Sequence, residues 1–335
     1  MNPVTLSPRA LQRRGHTLRR LALGATIGLL ALAVAAPAQA APPVRARALD
    51  GTLLVSGTPF ADTIVLRLAA GNAAVGEIDV NADGSADLSF TDADFSRIVL
   101  DGAGGADTLT VDTGNGAFPA DQEIVVNGGA GDDALFGGLG HQVLLGASGD
   151  DTIDGNQGAD DQFGGIGDDV IVWDPGDGSD LVEGGPGVDA MRFFGNGNAE
   201  NFRAFQNGAR VTFTRNLGNI VMDLNDTERI DLRAQGGADD LTVEDIAGTD
   251  LRQIDADLVS DGVGDHVTVK GGPADDTFRL AAAGSVTISR AGAPTTRIAG
   301  ADALLDSLVV NGLGGSDSFE VGQGVTGLIQ LQTID

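Results

Sequence analysis

Residues 128–192 read GGAGDDALF (128–136), GGLGHQVLL (137–145), GASGDDTID (146–154), GNQGADDQF (155–163) and GGIGDDVIV (164–172). After the two-residue step Trp173-Asp174 come PGDGSDLVE (175–183) and GGPGVDAMR (184–192). Each block is nine residues long, with small residues at positions 1, 2 and 4, usually Asp at position 6 and usually an apolar residue at position 8. Glycine adopts positive φ at little cost and lets another backbone approach closely, so positions 1 to 6 form a tight turn. Positions 7 to 9 then extend as a short strand whose middle residue faces a core. Leu135, Leu144, Ile153, Ile171, Val182 and Met191 occupy that position, and Gln162 departs from it.

The position-6 acids carry the chemistry. Asp supplies anionic oxygen, and the turn glycines leave backbone carbonyls close by. Calcium takes six to eight oxygens, mixing carboxylates with carbonyls. No single turn offers that many, so an ion would be shared between turns. Stacked turns place like charges about 4.8 Å apart, one strand spacing. In a partly dry turn that costs on the order of a few kcal/mol, which a cation would remove.

The seven registers resemble the haemolysin-type (RTX) calcium-binding repeat proteins. The resemblance is motif-specific only in 128–192. It implies a β-roll in which two nonapeptides complete one coil, so that blocks two apart stack on the same side and share calcium. One side would then stack Asp133, Asp151, Asp169 and Asp189, with three calcium gaps. The other would stack Gln142, Asp160 and Asp180, with at most one good site, between Asp160 and Asp180. Gly129, Gly131, Gly149, Gly165, Gly167 and Gly187 are the glycines expected to line the metal turns.

The rest of the chain fits an all-β reading: a parallel β-roll or β-solenoid flanked by further strand-rich, solenoid-like regions. With 335 residues, 51 glycines and 4% aromatics, the apolar supply is aliphatic and turn-rich. Four segments are expected: a signal peptide (1–40), a β-rich region (41–126), the nonapeptide roll (127–195) and a second β-rich region (196–335). The first combines Arg9, Arg13, Arg14, Arg19 and Arg20 with an apolar stretch and Ala38-Gln39-Ala40, which suits cleavage before Ala41 and secretion. An uncleaved anchor is the alternative.

Short strands such as TIVLRL, GEIDV, RVTFTR and HVTVK flank isolated Gly/Asp turns. Those from Gly57 (Asp62) and Gly102 (Asp107), read singly, are ordinary Asp-containing β-turns or single coils of the same architecture. Asp79, Asn81, Asp83 and Asp87, with Gly84, reproduce the start of an EF-hand-type calcium loop, but Phe90 stands where the bidentate Glu belongs. The competing reading is a hairpin turning at Ala82-Asp83-Gly84-Ser85.

A formal charge of −28 makes nucleic acid and anionic membranes poor partners and cations good ones. With no Cys there is no disulfide and no thiol nucleophile. The two histidines beyond the signal segment, His141 and His266, stand in unrelated contexts. Neither H-E-x-x-H nor G-x-S-x-G occurs. The expectation is therefore a non-enzymatic, secreted, calcium-binding protein with a structural or adhesive role; any cell-surface or matrix partner stays unspecified. The alternatives are a polysaccharide-acting enzyme on a parallel β-helix, disfavoured by the single Lys270, and a toxin fragment, disfavoured by the absence of an apolar pore-forming region after residue 40. Two departures from the resemblance matter. Export by an N-terminal signal is not the usual route of these proteins. The sequence also stops at Leu331-Gln332-Thr333-Ile334-Asp335 in mid-strand style, as a truncated product would.

Overall fold

The computed structural model describes Leu30–Ala31 and residues 44–335. Apart from Leu30–Ala31, the expected signal segment and its cleavage site lie outside the described residues. The described chain is almost entirely β-strand and turn, with three single-turn 3-10 helices. It forms two compact units, Met1–Asp161 and Gln162–Asp335, each with its own hydrophobic core. The division falls inside the nonapeptide block.

The N-terminal unit is wound from parallel strands in two sheets. One holds Thr52–Ser56, Arg97–Asp101, Glu123–Ala130 and Gln142–Ser148. The other holds Thr63–Ala69, Thr108–Asp112, Ala134–Phe136 and Thr152–Asp154. In-register pairing stacks like on like: Val55, Leu100, Val126 and Leu144 form one inward row, and Ile64, Leu109, Leu135 and Ile153 another, all fully buried. These rows are the solenoid version of a core, each coil burying its apolar residue on its neighbours. At the start of the unit the pairing turns antiparallel. Arg45–Leu49 pairs with Thr52–Ser56, and Asn72–Val80 lies between Thr63–Ala69 and Leu88–Thr91.

The C-terminal unit repeats the plan. Val170–Trp173, Ala190–Phe194, Arg229–Arg233, Gln253–Asp257 and Thr295–Ala299 run parallel, stacking Ile171, Met191, Ile230 and Ile254. Asn201–Asn207, Asp240–Val243, His266–Lys270, Ser307–Asn311 and Gln330–Ile334 form the opposing parallel run. Antiparallel meanders interrupt both. Asn201–Asn207, Arg210–Arg215 and Ile220–Asn225 form one, and Thr277–Ala282, Val286–Ser289 and Thr295–Ala299 the other.

The step at Trp173-Asp174 is a packing feature. The Trp173 ring is buried and stacks on Phe193 at 4.0 Å between centroids, and its Nε1–H donates to the Gly178 carbonyl (2.8 Å). Phe213 meets Phe193 edge-on at 5.0 Å, completing an aromatic centre where the aliphatic rows would leave volume unfilled.

Candidate metal centre

The six position-8 residues Leu135, Leu144, Ile153, Ile171, Val182 and Met191 are all fully buried, which fixes the register of every block. Gln162, at the same position, is also fully buried, and neither end of its amide has a hydrogen-bond partner.

The glycines do two separate jobs. At positions 2 and 4 the backbone is left-handed: φ is +104° at Gly129, +126° at Gly131, +129° at Gly149, +112° at Gly165 and +142° at Gly167. Position 2 also takes Ala147 at +81°. At position 1 the constraint is space. A methyl on Gly128 would stand 2.3 Å from Asp133 Oδ2, and one on Gly164 would stand 2.4 Å from Asp169 Oδ2. On Gly102 it would meet both Asp107 Oδ2 at 2.3 Å and the Gly128 carbonyl at 2.4 Å. Gly187 has no such torsion, but a methyl there would lie 1.7 Å from the Gly167 carbonyl. In these turns the position-6 carboxylate folds back over its own position-1 glycine, and at Gly102 and Gly164 a carbonyl from the next coil also arrives.

The carboxylates are rungs between coils. Each Oδ1 accepts the N–H of the position-6 residue one coil earlier: Asp107 from Asp62 (2.7 Å), Asp133 from Asp107 (2.7 Å), Asp151 from Asp133 (2.8 Å). In the C-terminal unit Asp189 accepts from Asp169 (2.8 Å), and Glu228 Oε2 from Asp189 (2.9 Å). The turns at Gly57 and Gly102 are therefore coils of the same ladder and not isolated β-turns. Spacing in sequence hid this, because long strands separate turns that are adjacent in space.

On the second turn line Gln142 N–H donates to Asp160 Oδ1 (2.7 Å). Within the C-terminal unit, the Glu200 N–H donates to Asp239 (2.9 Å), that of Asp239 to Asp265 (2.8 Å) and that of Asp265 to Asp306 (2.8 Å). Asp160 belongs to the N-terminal unit, and Asp180, also buried, to the C-terminal one.

The second oxygen separates the rungs into two kinds. In Asp62, Glu200, Asp276 and Asp306 it accepts the N–H four residues earlier, at 2.6–2.8 Å, and the single amide oxygen of Gln142 accepts the Gly138 N–H in the same way (2.7 Å). Gln142 breaks the run of charge but keeps the hydrogen bonding of its place. In Asp107, Asp133, Asp189, Asp239 and Asp265 the Oδ2 is buried with no hydrogen-bond partner. Burial pushes these acids up, to about 7 for Asp107, Asp189 and Asp239 and about 6 for Asp265, with Asp133 raised as well. The N–H bond to Oδ1 opposes that shift, and neighbouring carboxylates add to it.

Position 5 holds a second line that the nonapeptide reading missed. Asp132 Oδ1 accepts from Asp150 N–H (3.0 Å) and Asp168 Oδ1 from Val188 N–H (2.8 Å), so position-5 acids reach forward and position-6 acids backward. The frequent Asp-Asp pairs at 5 and 6 were its sequence signal.

The EF-hand-like loop closes on a guanidinium. Asp79, buried, accepts Arg67 Nη1 at 2.6 Å, Asp83 N–H at 3.1 Å and Gly84 N–H at 2.9 Å, while Arg67 Nη2 donates to the Gly84 carbonyl at 3.1 Å. Asp87 accepts from Val80 N–H (2.8 Å), and Ile78 pairs with Leu88. Asp79, Asn81, Asp83 and Asp87 thus sit in a hairpin with its positive charge supplied by Arg67. The sequence could not show that charge, twelve residues upstream of Asp79.

Among the described residues no three Asp, Glu or His side chains converge as a metal cage. The donor set on offer is instead paired carboxylates with turn carbonyls, a hard-oxygen set suited to calcium. The orphaned Oδ2 atoms and the carbonyls beside them fit a cation held between coils. His141 is exposed and donates from Nδ1 to the Ala159 carbonyl (2.5 Å). His266 contacts Ser307 Oγ (2.7 Å) and Thr268 Oγ1 (3.1 Å) on the sheet surface. Among the described residues no helix is long and apolar enough to cross a membrane. No protein-family description and no curated protein matches the sequence.

Proposed function

We propose that this chain is a secreted calcium-binding β-solenoid of the haemolysin-type repeat kind, in which calcium neutralises the buried carboxylate rungs and stabilises the coils for a structural or adhesive role outside the cell. The observation that carries the reading is the buried, unpartnered Oδ2 of Asp133, folded over Gly128 in a stack whose neighbouring rungs are also acids. A buried carboxylate oxygen without a partner is costly, and a cation is the group that removes the cost. In the block, Asp133 and Asp151 would share calcium in the N-terminal unit, and Asp169 and Asp189 in the C-terminal one. Because such a site is absent from the unfolded chain, binding energy becomes folding energy.

Equilibrium dialysis of calcium against the full chain and against Asp133→Asn with Asp189→Asn tests this. Asn keeps the Oδ1 acceptor of each rung and removes the charge, so the comparison isolates metal binding from the ladder bond. Binding by the unsubstituted chain and loss in the variant are expected. An unsubstituted chain that binds no calcium at millimolar concentration overturns the proposal.

A further inference from the structure

We infer that the C-terminal unit holds a separate divalent-cation site outside the nonapeptide block, between the rungs Asp239 and Asp265. It rests on the calcium reading above for the nature of the ion, and on its own residues for the place. Four acids stack in consecutive coils here. Register pairs Asn201 with Asp240, Asp240 with His266, and His266 with Ser307, so the residues just before them, Glu200, Asp239, Asp265 and Asp306, form one line.

The two ends of that line are already satisfied by the protein, one by an ion pair and the other by backbone N–H groups. Glu200, fully buried, is ion-paired with Arg215, itself only 5% exposed, and its other oxygen accepts Asn196 N–H (2.7 Å). Asp306 Oδ1 accepts Asp265 N–H (2.8 Å) and its Oδ2 accepts Asp302 N–H (2.6 Å). The two acids between them have neither solution. Asp239 and Asp265 are each 2% exposed, one oxygen of each is spent on the preceding coil's N–H, and Oδ2 of each has no partner.

The guanidinium at Glu200 shows what this line of turns accommodates: a cation against a buried rung. One coil further on, no Arg or Lys among the described residues is ion-paired with Asp239 or Asp265; Lys270 is engaged by Glu244 and Arg290 by Asp245 and Asp276. Two carboxylates in successive coils give the charge of one divalent ion, and their oxygens with turn carbonyls form a hard donor set that favours calcium over zinc. The site lacks the nonapeptide spacing, since Asp239 and Asp265 lie 26 residues apart with a full coil between them. That is why the sequence pattern passes over it.

The test uses the full chain with calcium as the probe. Asp239→Asn and Asp265→Asn, made singly so that the rung acceptors remain, are titrated beside Asp133→Asn with Asp189→Asn. Each single variant should lose one calcium per chain, or bind it at least tenfold more weakly, while the block variant keeps that ion. A variant that does not fold is bypassed by anomalous diffraction from crystals of the unsubstituted chain grown in calcium. A peak about 2.3–2.6 Å from carboxylate oxygens of Asp239 and Asp265 is expected. Calcium at Asp133 or Asp189 with no peak between Asp239 and Asp265 overturns this inference and leaves the function standing; a chain that binds no calcium anywhere overturns the function itself.

Discussion

Gly102 has an ordinary backbone torsion, yet it has no room for a side chain. A methyl there meets Asp107 Oδ2 at 2.3 Å and the Gly128 carbonyl at 2.4 Å, and one of those atoms belongs to backbone that cannot swing away. Gly102→Ala should therefore destabilise the N-terminal unit by about 1–3 kcal/mol, as overpacking does. Gly197, where nothing stands within 4 Å and no positive φ is required, is the control. Gly197→Ala should stay within about 0.5 kcal/mol of the unsubstituted chain, as surface changes do. Urea denaturation of both variants decides; equal effects would mean that the position-1 glycines serve turn flexibility and not the close approach of the rung. At the same scale Arg215→Met leaves the fully buried Glu200 carboxylate without its partner. A loss of about 3–5 kcal/mol is expected, because an uncompensated buried charge remains. Trp173 reports it directly: it is the only tryptophan, buried, with the Arg215 guanidinium 5.2 Å from its ring centroid. Its emission should shift to the red at lower denaturant in the variant than in the unsubstituted chain.

At the scale of the element, each coil contributes one apolar side chain per strand to a continuous row. Leu135 lies between Leu109 and Ile153 in such a row, and all three are fully buried. Leu135→Ala should cost about 2–5 kcal/mol, since parallel register prevents the neighbours from closing the gap. Thermal unfolding followed by circular dichroism measures it; a loss under about 1 kcal/mol would mean the row relaxes freely. Rows of this kind were legible in the sequence wherever the nine-residue spacing holds, because position 8 fixes which residue faces inward. They were not legible where strands lengthen. Asp107 and Asp133 are 26 residues apart, and Asp265 and Asp306 are 41 apart, yet each pair is joined by one backbone-to-carboxylate hydrogen bond. A local pattern encodes the turn, whereas coil closure is set by how much chain is spent on the strands and meanders between turns. The position-6 acids of the block were readable for the same reason that Arg67 at Asp79 and Arg215 at Glu200 were not: internal cations come from neighbouring strands, at no fixed spacing.

At the scale of the whole molecule the excess of acid meets the burial of the rungs. Asp107, Asp189 and Asp239 are pushed up to about 7 and Asp265 to about 6, chiefly by burial. In an unfolded chain the same groups titrate near 4. Between those values the folded state holds more protons than the unfolded one, so stability falls as pH rises. The contribution is fully present below about pH 4 and is lost as the pH climbs through 6 to 7. A calcium-free chain should melt at a higher temperature at pH 5 than at pH 7.5, each kcal/mol appearing as about 2–4 °C for units of this size. Self-repulsion of a chain with a formal charge of −28 acts in the same direction. Calcium reverses the order, because it binds the ionised carboxylates and must displace their protons. Added calcium should raise the melting temperature strongly at pH 7.5 and little at pH 5. Near pH 6.5 its binding should release protons, which a titration in weakly buffered solution would record as acidification. A melting temperature that rises from pH 5 to pH 7.5 without calcium would show that the rungs are ionised and satisfied by the protein alone, leaving no unpaid charge for a metal to neutralise.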